Sequence, residues 1–230
     1  MRFTEGHSRV AFANMVVHEL TFPPKVIALA DVLAARMRER AGGRLWMGAH
    51  MRRGDCAYFF ITFTFRNLTP DRYTPSKNKT VIRTGWAMEH TPQAHVERVK
   101  NRLRMGRTVI EDLDNPTTYD FEGAEPDMEQ VTVPPPIPGD PFYVATDERD
   151  PEALKVITDA GAVLLSDLLT MDDRREFGWP LMITDVRALV EQALLVHSAF
   201  FYGHGMSSLA GVVTNLRASR GADPRTMLLD

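Results

Sequence analysis

The stretch TDVRALVEQALLVHSAFFYGHGMSSLAGVVTNLRASRG, residues 184–221, decides how this chain is read. Val186, Leu189, Val190, Ala193 and Leu194 recur at helical spacing and form one apolar face. AFFYG at 199–203 follows, a run short enough for a buried strand and closed by glycine. Ser207 and Ser208 then open a second helical pattern that stops at Gly221. Helix, apolar strand, glycine-rich loop and helix in this order argue for a parallel sheet covered on both faces.

The same rhythm runs towards the N-terminus. PFYVATD at 141–147 and AVLLS at 162–166 read as strands. Between them DPEALKVITDAG reads as a helix, with Asp150 as cap, Pro151 at the first helical position and Gly161 as the stop. LWMGAHM at 45–51 is another candidate buried strand. It follows a helical pattern carried by Val26, Leu29, Ala30, Leu33 and Met37 and ended by Gly42-Gly43.

Residues 66–139 differ from their surroundings. YFFITFTFRNLTP at 58–70 alternates and reads as a strand or the edge of an insert. Residues 91–113 read as one helix with Pro92 in its first turn, and 112–130 are acidic and rich in turn formers. VPPPIPGDP at 133–141 is a stiff extended linker. The expected organisation is an N-terminal segment and lead-in helix over 1–43, then an α/β domain over 44–230 with an insertion at about 66–139.

At 230 residues the chain is long enough for one large core or two small ones. A formal charge of -3 gives it no whole-protein attraction to nucleic acid or acidic membranes. A single cysteine, Cys56, excludes an internal disulfide and a cysteine-based zinc cage. No stretch is apolar enough to span a bilayer, and the first twenty residues lack the core of a signal peptide.

Three strand ends carry polar groups out of proportion to their length: His50 to Asp55, Ala145 to Glu148, and Gly203 to Ser208. Ligands of open parallel sheets bind beyond such ends. Ser207 and Ser208 open a helix, where free N–H groups and the helix dipole favour an anion; equally, Ser207 serves as a plain N-cap. Arg52 or Arg53 offers the fork that binds phosphate in bidentate fashion, and Asp55 orients an arginine or pairs with Arg53 at the surface. Asp147 can accept from a base edge or a sugar hydroxyl, or start the next helix.

Taken in order, these motifs resemble the GDP-fucose protein O-fucosyltransferases, the uncharacterised fungal branch more closely than the animal enzymes. The residues concerned are His50-Met51-Arg52-Arg53-Gly54-Asp55, FYVATDERD at 142–150, and the acid-bearing helix and strand leading to Gly203-His204-Gly205-Met206-Ser207-Ser208. The resemblance covers residues 44–60 and 141–220. It implies a Rossmann-like domain equivalent to the C-terminal, donor-binding half of a GT-B glycosyltransferase. Arg52 then matches the catalytic arginine that contacts the β-phosphate and the bond being broken. His50, Arg53 and Asp147 match residues around the nucleotide, and Ser207 and Ser208 match the pair that holds the diphosphate. Glu191 stands where the family usually has Asp, and Leu209 where an aromatic often follows the serines.

The implied activity is inverting transfer of a GDP-sugar, GDP-fucose by resemblance, to a protein or glycan hydroxyl. Growing charge on the leaving β-phosphate would be stabilised by a guanidinium, hydroxyls and a helix N-terminus, with no cofactor and no metal. The rival expectation is a nucleotide-sugar-fold binding or scaffold protein without turnover, because the acceptor-side half has no counterpart in this sequence. Family members work in the secretory pathway.

Other signals are weaker. Asp112-Leu113-Asp114 has the spacing of metal-using glycosyltransferases but reads as solvated surface. His90 and His95 flank a proline-started helix and are expected at the surface. The basic run at 98–107 has no interleaved aromatics and reads as a solvated helix face, not a nucleic-acid patch.

Overall fold

The computed structural model describes residues 15, 19, 21–51, 91–119, 123–205 and 207–230. Helix α1 (Pro24–Arg40) precedes strand β1 (Met47–Met51). Helix α2 (Pro92–Glu111) and the single turn α3 (Glu129–Thr132) lead to β2 (Phe142–Thr146). Then come α4 (Pro151–Asp159), β3 (Ala162–Val163), two short helices α5 (Leu165–Leu168) and α6 (Met171–Phe177), and a 3-10 turn at Trp179–Met182. Helix α7 (Thr184–Val196), β4 (Phe200–Gly203), α8 (Ser208–Ser219), a 3-10 turn at Pro224–Thr226 and β5 (Met227–Leu229) complete the order.

The five strands form one sheet in the order β3-β2-β1-β4-β5, and every pair is parallel. This is a Rossmann-like α/β sheet. Alternation along each strand divides the core in two. Tyr143, Ala145 and Phe201 face α1, α7 and α8, whereas Phe142, Val144, Phe200 and Tyr202 face α2 and α4. Strands buried on both faces must be apolar at every position, which is why they read as runs rather than as alternations.

Local caps agree with the expected boundaries. Thr91 accepts from the Ala94 N–H at the start of α2, and Asp150 accepts from the Glu152 N–H at the start of α4. Gly42, Gly43 and Gly161 take positive φ just beyond α1 and α4. The linker at 133–141 is pinned rather than free. Asp140 takes the fork of Arg44, and the Leu45 N–H donates to the Pro134 carbonyl at 2.9 Å.

Four features add to or differ from the local reading. AVLLS is a strand for two residues only; Leu165 already begins α5. The region read as an insertion contains α2, which spans the crossover from β1 to β2 and buries Val96, Val99, Leu103 and Ile110 on the sheet. The lead-in helix α1 is part of the same core, with Ala30, Leu33 and Met37 packed under α7. Residues 227–229, which carried no strand signal, form the edge strand β5. The alternating stretch at 58–70 lies outside the described residues.

Two glycines are fixed by close approach. A Cβ on Gly106 of α2 would lie 2.3 Å from the Phe200 ring, so only glycine lets α2 sit this near β4. Gly221 has φ +79°, and a Cβ there would meet the Glu125 carbonyl oxygen at 1.8 Å.

Candidate functional site at the strand ends

Sheet order places β2 and β3 on one side of β1, and β4 and β5 on the other. The chain changes direction across the sheet at that point, and open α/β sheets bind ligands beyond the carboxyl ends there. A hollow of about 510 Å³ lies at the ends of β1 and β2, between α7 and the start of α8. Its walls include His50, Thr146, Asp147, Arg187, Glu191 and Leu209.

Each wall residue is placed by simple periodicity. His50 pairs in register with Ala145, so it lies on the face that also carries Tyr143. Asp147 continues the same two-residue alternation past the end of β2. Arg187 and Glu191 are four apart on α7 and therefore stand over one another. Three residues singled out in the sequence, His50, Asp147 and Glu191, thus come from three different elements to one hollow.

Glu191 is electrostatically poised. Burial pushes its carboxyl up, Arg187 and the Tyr143 hydroxyl pull it down, and Asp147 pushes it up again, leaving it at about 7. Tyr143 is wholly buried, and burial together with the Glu191 charge drives its phenol well above the usual range. The Tyr143 hydroxyl lies within electrostatic reach of Glu191 but does not meet hydrogen-bond geometry with any described residue. A carboxyl that exchanges its proton near neutrality can donate to or accept from a ligand hydroxyl. Arg149 and Arg187 add positive charge to a wall that also holds Asp147 and Glu148.

The serines are placed differently. Ser207 is buried, and its hydroxyl accepts from the Ala210 N–H at 3.5 Å as the N-cap of α8. Its own N–H donates to the His204 carbonyl at 2.9 Å. Ser208 begins α8 and is exposed. Among the hollow's walls, α8 is represented by Leu209. Arg52, Arg53 and Asp55 lie outside the described residues.

The loop after β4 is held from the opposite face. Gly205 N–H donates to the Asp230 backbone carbonyl at 2.9 Å, and the Asp230 carboxylate accepts from Arg102 at 2.9 Å and from the Tyr202 hydroxyl at 3.3 Å. The His204 ring packs edge-on to that of His95, centroids 5.8 Å apart. Burial and the neighbouring Arg98 push His204 down. His95, expected at the surface, is only 3% exposed. Its place on the apolar face of α2, one turn before Val99, explains the burial. Asp112 and Asp114 are exposed, as expected, and among the described residues no cluster of histidine, cysteine and acids could hold a metal ion.

Comparison with protein-family models and with curated proteins finds no match to this chain. Sequence reasoning overlooked Arg187 and Tyr143. The Arg187–Glu191 spacing of four, and the two-residue steps from Tyr143 to Ala145 to Asp147, are the signals that would have found them.

Proposed function

We propose that this chain binds a nucleotide sugar at the hollow beyond β1 and β2, as the donor-binding half of a GT-B-type glycosyltransferase. The donor is a GDP-sugar, GDP-fucose by the resemblance of the motifs at 50–55, 142–150 and 203–208. Transfer goes to a protein or glycan hydroxyl, with inversion and without a metal. The supporting observation is the convergence of His50, Asp147 and Glu191 from β1, the β2 end and α7 on one hollow. Carboxyl groups there match the sugar hydroxyls and ring N–H groups of such a donor. Arg52 is the group assigned to the leaving phosphate, where charge grows as the glycosidic bond breaks.

A second reading, a nucleotide-sugar binder without turnover, is favoured by one observation. Ser207 is buried and its hydroxyl serves as the cap of α8, so its placement is accounted for without a phosphate. Calorimetry with GDP, GDP-fucose and UDP-glucose tests both. Heat with GDP-fucose that is lost in Arg52→Ala and Glu191→Ala supports the donor site. Release of free fucose in the same mixture selects the enzyme, and binding without release selects the binder. Absence of heat with every nucleotide removes both.

A further inference from the structure

We propose that the surface formed by α6, the 3-10 turn after it and the start of α7 docks an acidic segment of a partner protein. That segment is apolar at its centre and rimmed by carboxylates.

Exposed large apolar side chains are concentrated here. Met171, Trp179, Met182 and Ile183 fall within thirteen residues, and Trp179 and Met182 are 73% and 85% exposed. Scattered exposed apolar residues need no explanation, but Trp179 and Met182, the two most exposed, line one hollow together. A hollow of about 660 Å³ runs beside Trp179, Leu181 and Met182. Tryptophan, methionine and arginine are the residue types enriched where proteins meet, and tryptophan and arginine dominate hot spots.

The charge of the lining selects the partner. Arg174, Arg175 and Arg187 line this hollow and no carboxylate does. Asp173 and Glu176 of the same helix line a separate hollow with Lys25 and Phe177. Asp173 is also matched there by the Arg36 guanidinium at 2.5 Å. Arg175 is shared with Asp172 at 3.0 Å, whereas Arg174 makes no ion pair among the described residues. Arg187 is also shared with Glu191, and Asp185 at the start of α7 is exposed, so Arg174 is the guanidinium left to meet a carboxylate on a bound segment. Residues 52–90 of this chain have the wrong sign, with seven Lys and Arg against three Asp and Glu.

The surface is also held ready. Pro180 follows Trp179 and fixes its own φ, which restricts the turn that presents the indole. Beneath it, Lys25 donates to the Phe177 carbonyl at 2.9 Å and Arg36 to the Leu168 carbonyl at 2.9 Å, tying α5 and α6 to α1. A platform that does not rearrange loses less entropy on binding.

The test uses the full chain and a labelled peptide of aspartate and glutamate interrupted by leucine and phenylalanine. Fluorescence anisotropy is expected to show saturable binding that weakens with added salt. Trp179→Ala is expected to weaken it about tenfold or more, and Arg174→Ala several-fold at low salt only. Both side chains are exposed, so circular dichroism should show an unchanged fold. The proposal is overturned if the acidic peptide does not bind, if a lysine version binds equally, or if Trp179→Ala has no effect. Two further results overturn it. One is a dimer of the chain alone that Trp179→Ala dissolves, which would assign the surface to a second copy. The other is tighter binding of a sulfated oligosaccharide at the same residues.

Discussion

Under α7, the buried hydroxyl of Tyr143 faces the carboxyl of Glu191: the hydroxyl favours the ionised carboxylate, and that charge in turn holds the phenol protonated. The relationship matters because Glu191 then changes charge in the range where proteins work. It carries an expectation whose sign can be worked out. With its folded pKa raised from 4.5 to about 7, the native state keeps a proton that the unfolded chain has already lost. Stability is therefore full below about 4.5 and falls as pH rises through 7. Glu191→Gln should flatten the fall in melting temperature between pH 5 and 7.5. The difference at pH 7.5 should be at most about 3 kcal/mol, since about 1.4 kcal/mol accompanies each tenfold change in the proton equilibrium. Tyr143→Phe should move the Glu191 titration, read by carboxyl NMR, to still higher pH.

Asp173 behaves in the opposite sense. The Arg36 guanidinium and Thr170 donors hold its carboxyl at about 2 against the burial that would raise it. The stability this contributes is present above 3.8, the ordinary value, and is lost as pH falls towards 2. Asp173→Asn should cost about 1–2 kcal/mol at neutral pH, a figure reduced for the water that reaches Arg36. The cost should shrink markedly in urea melts at pH 2, where the carboxyl is about half protonated.

Arg217 is 1% exposed and binds the carbonyls of Ser198 and Ala199 and the Thr226 hydroxyl, so it bolts α8 to the start of β4 and to the turn before β5. Burial lowers its pKa to about 10, well above neutrality, so the guanidinium stays charged. Arg217→Ala would leave those acceptors buried without donors, at about 1–3 kcal/mol each. A loss of about 3 kcal/mol or more is expected, measured by urea denaturation, and Arg217→Lys should recover only part of it.

Gly106→Ala places a methyl carbon 2.3 Å from the Phe200 ring. Elsewhere in a helix this change would stabilise through propensity. Here overpacking should outweigh it, giving a net loss of about 1–3 kcal/mol and a lower melting temperature. Pairing it with Phe200→Leu should restore part of the loss.

The amino-acid sequence alone determined the class of the fold. Apolar runs of strand length between amphipathic helices leave little choice but a covered parallel sheet, and Asp150-Pro151, Thr91-Pro92 and Gly161 set helix boundaries through local chemistry. It also marked His50 and Asp147 at strand ends, and the family resemblance marked Glu191 on the helix before β4. Tertiary structure decided the rest, because the deciding forces act between residues far apart in the chain. The order β3-β2-β1-β4-β5 fixes which strand ends share a hollow, and local propensity carries no record of it. Pairing with β4 makes residues 227–229 a strand despite their weak signal. Packing buries His95, which was expected at the surface, and Arg217, whose burial no local pattern marks. The neutral poise of Glu191 likewise comes from Tyr143, Arg187 and Asp147 meeting it across space.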